Sequence, residues 1–141
     1  MANTVMTSFK KELLEGVHDF ENGGDTFKLA LYNSSYTGNT ASTTVYTTGN
    51  EVGNSGTYSA GGGTLGTQAT STDGTTAIVD WADLSFTSAT INARYALIYN
   101  SSESNKACCV LDFGSDKSAS SGDFTVVFPA ADASNAIIRI A

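Results

Sequence analysis

The sequence predicts an all-β protein: an antiparallel β-sandwich, jelly-roll or Greek-key-like, of seven to nine strands, with a short N-terminal amphipathic α-helix. Three observations point there. First, after Gly24 apolar residues alternate with period two, and turn-forming strings interrupt them about every ten residues, the rhythm of sandwiches and barrels. Second, apolar residues make up 40% of the chain and charged residues 15%, against a usual charged share of about 25%. Thr, Ser, Gly and Asn fill the difference, while seven Phe, six Tyr and one Trp supply the core that a disordered polar chain lacks. Third, 141 residues fit one domain. We read 1–141 as a single unit, with an N-terminal arm and helix over 1–24 and the sandwich over 25–141. The latter includes a long Gly/Ser/Thr-rich segment at 49–74.

Each element follows from its own pattern. Phe9, Leu13 and Val17 recur every four residues, with Leu14 and Phe20 beside that face and Lys10, Lys11, Glu12 and Glu15 on the others. This spacing predicts an amphipathic helix of about three turns, capped by Thr7 or Ser8. Gly16 weakens its end and Gly23-Gly24 stops it. So short a helix is marginal alone and must dock on something. Thr26–Tyr32 alternates as a strand, and Ala41–Thr48 reads as a second. The 49–74 segment, with Gly61-Gly62-Gly63 at its centre, reads as a flexible stretch holding one or two short strands near Tyr58 and Leu65. Thr75–Phe86 resumes the β pattern, and Ala89–Tyr99 is the strongest strand. Asn100–Asn105 is a turn, Lys106–Phe113 the returning strand of a hairpin, and Gly114–Gly122 a polar loop. Phe124–Phe128 and Ala136–Ile140 are the last two strands.

Charge and reactive residues narrow the function. Seven Lys and Arg against fourteen Asp and Glu give a net charge of −7, so neither nucleic-acid phosphates nor an anionic membrane surface is an expected partner. No apolar run is long enough to span a bilayer. The order of charged and apolar residues at the N-terminus is not that of a signal peptide, so secretion by that route is not expected. Cys108 and Cys109 are neighbours; a disulfide scaffold, a CxxC motif and a zinc set are all ruled out by their spacing. The single histidine, His18, lacks a nucleophile and an orienting group in its sequence context. Asp80, Asp83, Asp112, Asp116 and Asp123 sit at strand ends, where turn bonding is the ordinary role. A glycosidase would need two of them face to face, and calcium would need several in the 112–123 loop. The glycine triplet is not followed by the Lys-Ser or Lys-Thr of a phosphate-binding loop. Asn33-Ser-Ser35 and Asn100-Ser-Ser102 match a glycosylation acceptor pattern but read as turns. Trp81 or Tyr58 could stack on a sugar if exposed, although Trp81 has apolar neighbours and reads as core. No catalytic residue, metal or cofactor is expected, and the protein is read as not an enzyme.

Longer strings add a resemblance. Ser8-Phe-Lys-Lys-Glu-Leu-Leu-Glu-Gly-Val-His-Asp-Phe20 with Thr26-Phe-Lys-Leu-Ala-Leu-Tyr32 resembles small virion proteins of tailed bacteriophages. So do Ala93-Arg-Tyr-Ala-Leu-Ile-Tyr-Asn100, Leu111-Asp-Phe-Gly-Ser-Asp-Lys117 and the ending from Phe124 to Ile140. The resemblance spans nearly the whole chain and implies a structural role in the particle, a capsid decoration (cement) protein above all. It implies as partner the major capsid protein or another virion protein, a homo-oligomer with a trimer favoured, and a place on the outer capsid surface after synthesis in the bacterial cytoplasm. A tail, neck or baseplate component, or fibre adaptor, is the alternative; a carbohydrate-binding adhesion module is the alternative from another class. Phe9, Leu13 and Val17 on the helix, with Tyr58 in the Gly-rich segment, are the candidate docking contacts.

Overall fold

The computed structural model describes residues 3–141; Met1 and Ala2, the start of the expected N-terminal arm, lie outside them. In chain order the described residues form β1 (Thr4–Val5), α1 (Thr7–Leu14), β2 (Phe27–Tyr32), β3 (Gly63–Thr64), β4 (Ala69–Asp73), β5 (Thr76–Asp80), β6 (Leu84–Asn100), β7 (Lys106–Val126) and β8 (Ile138–Ile140). These strands pair antiparallel in two sheets, ordered β1-β7-β6-β2-β3 and β4-β5-β8. The chain is therefore mostly β, as its alternation predicts.

The core is built around β2. Its side chains alternate between two faces, yet all but Lys28 are buried, because both faces are covered. On one face Phe20 stacks on Phe27 with ring centroids 4.4 Å apart, and Trp81 approaches the same ring at 5.7 Å. On the other face Tyr36 stacks on Tyr32 at 3.9 Å and Tyr46 on Tyr99 at 4.7 Å. The cover on this second face is irregular chain, the segment between β2 and β3. Strands buried on both faces read as continuous apolar runs, and Ala96–Tyr99 and Ala107–Leu111 do so. Val79, Trp81, Ile137 and Ile138, in or beside the three-stranded sheet, join the same hydrophobic cluster.

Several elements differ from the sequence expectation. The helix has eight residues, not three turns. Gly16, at φ +70°, takes the left-handed conformation that ends helices, so Val17 and His18 lie beyond it. Its N-cap is Met6, which makes no side-chain cap bond; the Thr7 amide instead donates to Ala41 O at 2.9 Å. Ala41–Thr48 is not a strand: only Val45 bridges, to Lys106. The pattern over Thr75–Phe86 breaks into β5 and the start of β6. Gly114–Gly122 is not a loop but the middle of β7. Hydroxyls there bond across the hairpin, as from Ser118 Oγ to Asn92 Oδ1 at 3.0 Å and from the Ser121 amide to Thr90 Oγ1 at 3.0 Å. Between Ala93↔Lys117 and Tyr95↔Asp112 the register shifts. Arg94 Nε and the Gly114 amide both donate to Asp112 Oδ1 there, at 2.6 and 2.8 Å.

The glycine triplet is pinned rather than loose. At Gly62, φ +79° and a close approach to the β2 backbone mean that a Cβ would collide with the Leu29 carbonyl. Only glycine allows this approach.

Candidate functional site

Two of the four expected docking residues are committed to this chain's own core. Phe9 is 1% exposed and packs on Phe20 and His18. Tyr58, expected at a docking surface, is also 1% exposed. Its hydroxyl accepts the Leu31 amide at 2.9 Å and donates to Glu51 Oε1 at 2.7 Å, while its ring packs on Phe86. Leu13 and Val17 are half-buried. By contrast, Leu14 is 92% exposed; a four-residue spacing rule places it beside the apolar face rather than on it.

Two polar clusters organise the interior. In the first, His18 Nε2 lies 2.6 Å from Glu12 Oε2 and Nδ1 lies 2.9 Å from Asn100 Nδ2. Asn100 is fully buried. Its amide nitrogen also donates to Asp25 Oδ2 at 2.8 Å, and its Oδ1 accepts the Ser102 amide at 3.0 Å. An amide nitrogen cannot accept, so His18 Nδ1 is the acceptor and Nε2 carries the proton toward Glu12. Side chains from α1, the approach to β2 and the end of β6 are thereby tied together. In the second cluster Glu51 is the hub. It accepts Tyr46 OH at 2.5 Å, Tyr58 OH at 2.7 Å and the Gly61 amide at 2.7 Å, while Tyr99 OH donates to Gly61 O at 2.6 Å. This carboxylate ties the irregular layer together, and the Tyr58–Leu31 and Tyr99–Gly61 bonds fasten that layer onto the sheet. Sequence reasoning missed it, since Glu51 is a lone acid in a polar run.

The arrangement offers these groups little chemistry. His18 has an orienting partner on each ring nitrogen, but its side chain is fully buried. Burial pushes the Cys108 thiol well up, with Cys109, Glu12 and Asp25 acting the same way. Burial likewise pushes Cys109 up to about 12. Both stay protonated near neutrality, the form that is neither nucleophile nor ligand. Arg94 beside Asp112, then the Gly114 amide, hold that carboxyl below its ordinary range; it is engaged within β7, and the loop proposed for calcium is strand. Among the described residues no group of three His, Cys, Asp or Glu side chains is gathered as a metal site requires, and no helix is long and apolar enough to cross a membrane. Trp81 is 2% exposed and its indole N–H donates to Gln68 Oε1 at 2.9 Å, so its ring faces are not open to a sugar.

Open surface remains in a few places. A groove of about 540 Å³ runs between α1 and β8. A smaller hollow of about 380 Å³ lies against the far half of β7. Among the described residues the exposed large apolar side chains are Leu14, Val45, Val127 and Ile140. In comparison with known proteins, the chain matches no family model, no curated protein and no solved structure.

Proposed function

We propose that this chain is a non-enzymatic structural protein of a bacteriophage particle, a capsid decoration (cement) protein that binds at capsomer junctions on the outer surface. The observation that carries the non-enzymatic half is the state of the reactive side chains. His18, both thiols, Glu51 and Asp112 are each held in bonds or burial that serve the fold, and no cleft gathers them. The particle assignment rests on the resemblance of the quoted strings. The negative charge agrees with an outer surface rather than one facing packaged DNA. On this reading the two antiparallel sheets are the layers of a jelly-roll or Greek-key-like sandwich, with Phe20 and Trp81 between them. The partner is the major capsid protein or another virion protein, and copies of the chain associate, a trimer being the favoured form. Many weak contacts repeated by symmetry would add by avidity to resist internal pressure. A carbohydrate-binding role is disfavoured by the burial of Trp81 and Tyr58.

Copy number in purified particles tests the reading. Quantitative mass spectrometry against the major capsid protein should find a copy set per capsomer junction, and particles lacking the chain should rupture at lower temperature. A handful of copies per particle would move it to the tail, neck or baseplate, and its absence from particles would reject the virion role.

A further inference from the structure

The groove between α1 and β8 lies where both sheets end. β1 is the edge of the five-stranded sheet and β8 the edge of the three-stranded one. β8 pairs with β5 on one side, Ala77↔Ile140 through Val79↔Ile138. On its other side, among the described residues, no backbone hydrogen bond reaches it. A free strand edge is a template for another strand.

The lining sets the chemistry of what could pair there. Val5, Leu13, Ile138 and Ile140 give apolar walls, and Ile140 is 57% exposed. The charged side chains of the lining are Lys10 and Arg139; it contains no Asp or Glu. That is unusual on a chain of net charge −7 with only seven cationic side chains. Along β8 the pattern is apolar, cationic, apolar. A strand laid beside it is best matched by the same alternation with the charge reversed, apolar side chains beside Ile138 and Ile140 and a carboxylate beside Arg139, because directly opposed cross-strand pairs interact. The far half of β7, a longer open edge, is built against pairing. Gly114 and Ser121 have positive φ there, and Asp116, Lys117 and Asp123 are exposed, the bulges and charges that blunt natural edges.

We propose that the α1/β8 groove receives an extended segment of a partner protein, alternating apolar and acidic residues, which adds as a strand to the free edge of β8. Lys10 and Arg139 select its carboxylates, and Leu13, Ile138 and Ile140 hold its apolar side chains. This is strand addition, in which main-chain bonds give affinity and alternate pockets give specificity. It rests on the assembling role proposed above and assigns that role a surface.

The test uses the full chain and fluorescence anisotropy with two labelled octapeptides, one alternating valine and glutamate, the other valine and lysine. The glutamate peptide should bind about ten-fold or more tightly than the lysine peptide, as expected when potentials are complementary, and added salt should weaken it. Lys10→Glu and Arg139→Glu should each weaken binding, and Ile140→Pro, which disrupts the edge strand, should abolish it. Lys10 is exposed on the helix, so Lys10→Glu leaves the fold intact, as far-UV circular dichroism will check. No binding, equal binding of the two peptides, or binding indifferent to these substitutions overturns the proposal. Those results leave the copy number in particles untouched, so the two readings fail separately.

Discussion

Asn100 shows how much one buried amide can organise. Its two N–H groups reach His18 and Asp25, and its oxygen takes the Ser102 amide. Replacement by Leu would keep the volume, leave the buried His18 Nδ1 without its donor and take one of two donors from Asp25 Oδ2. A buried orphan costs about 1–3 kcal/mol, so Asn100→Leu should lower the urea midpoint markedly without changing the slope. A shift within error of wild type would mean that water substitutes for the amide. Gly62 makes a second residue-scale prediction. Gly62→Ala should leave the chain largely insoluble or unfolded, because the added Cβ meets backbone that cannot move aside. Gly53→Ala should be near neutral in thermal melts, since nothing lies within 4 Å of its Cβ position. Neither residue declares its role in sequence. Asn100 stands in an Asn-Ser-Ser turn string, but its side-chain partners His18 and Asp25 are more than seventy residues away, and Gly62 sits in a triplet that reads as flexible. What is local to a turn was legible; what depends on a distant neighbour was not.

At the scale of elements, pattern predicted the strands that alternate and failed where polar residues are paired. β2, the hairpin turn after Asn100 and the terminal strand were readable from apolar spacing and turn chemistry. The middle of β7 was not. Its Ser, Gly and Asp residues favour loops locally, but pairing along β6 overrides that preference, as tertiary context commonly does in strands. The helix was readable in its start and face but not in its length, because one left-handed glycine decides where it stops. The covering segment between β2 and β3 depends on Glu51. Glu51→Ala should free the hydroxyls of Tyr46 and Tyr58 and the Gly61 amide together. Hydrogen exchange across 46–62 should rise well before global unfolding, with protection in β6 and β7 retained. Uniformly faster exchange would show that the segment and the sheet open as one unit.

For the whole molecule, double covering of the sheet has a titration signature. Burial pushes the phenols of Tyr32, Tyr36, Tyr46, Tyr58 and Tyr99 above their ordinary value, Tyr99 to about 12. A raised folded pKa favours the neutral form. The stability it contributes is fully present below the unfolded value of about 10 and is lost as pH rises beyond it. Tyrosinate absorbance should therefore rise late and cooperatively above pH 10, in step with loss of the near-ultraviolet dichroism. A smooth non-cooperative titration near pH 10 would contradict the burial of these rings. Near the acid end the sign reverses. Asp112, lowered chiefly by Arg94, stabilises above the ordinary carboxylate range of about pH 4, and that contribution fades as pH falls through its lower folded value. That the chain is mostly β was visible in the sequence. The order of the strands was not, because alternation tells which residues face inward and not which strand lies beside which.

That order bears on how the chain is made. Thr4 pairs with Val110 and Val5 with Cys109, so the first strand waits for a partner synthesised more than a hundred residues later. β6, at the centre of its sheet, also lacks β7 until then. A ribosome adds roughly 5–20 residues per second, which leaves α1 and its Phe9, buried in the finished fold, without a sheet to rest on for several seconds. Contacts of such long sequence separation fold slowly. The growing chain is thus exposed to aggregation until its last third emerges, and arrest of translation before β7 should leave the N-terminal segment open to protease.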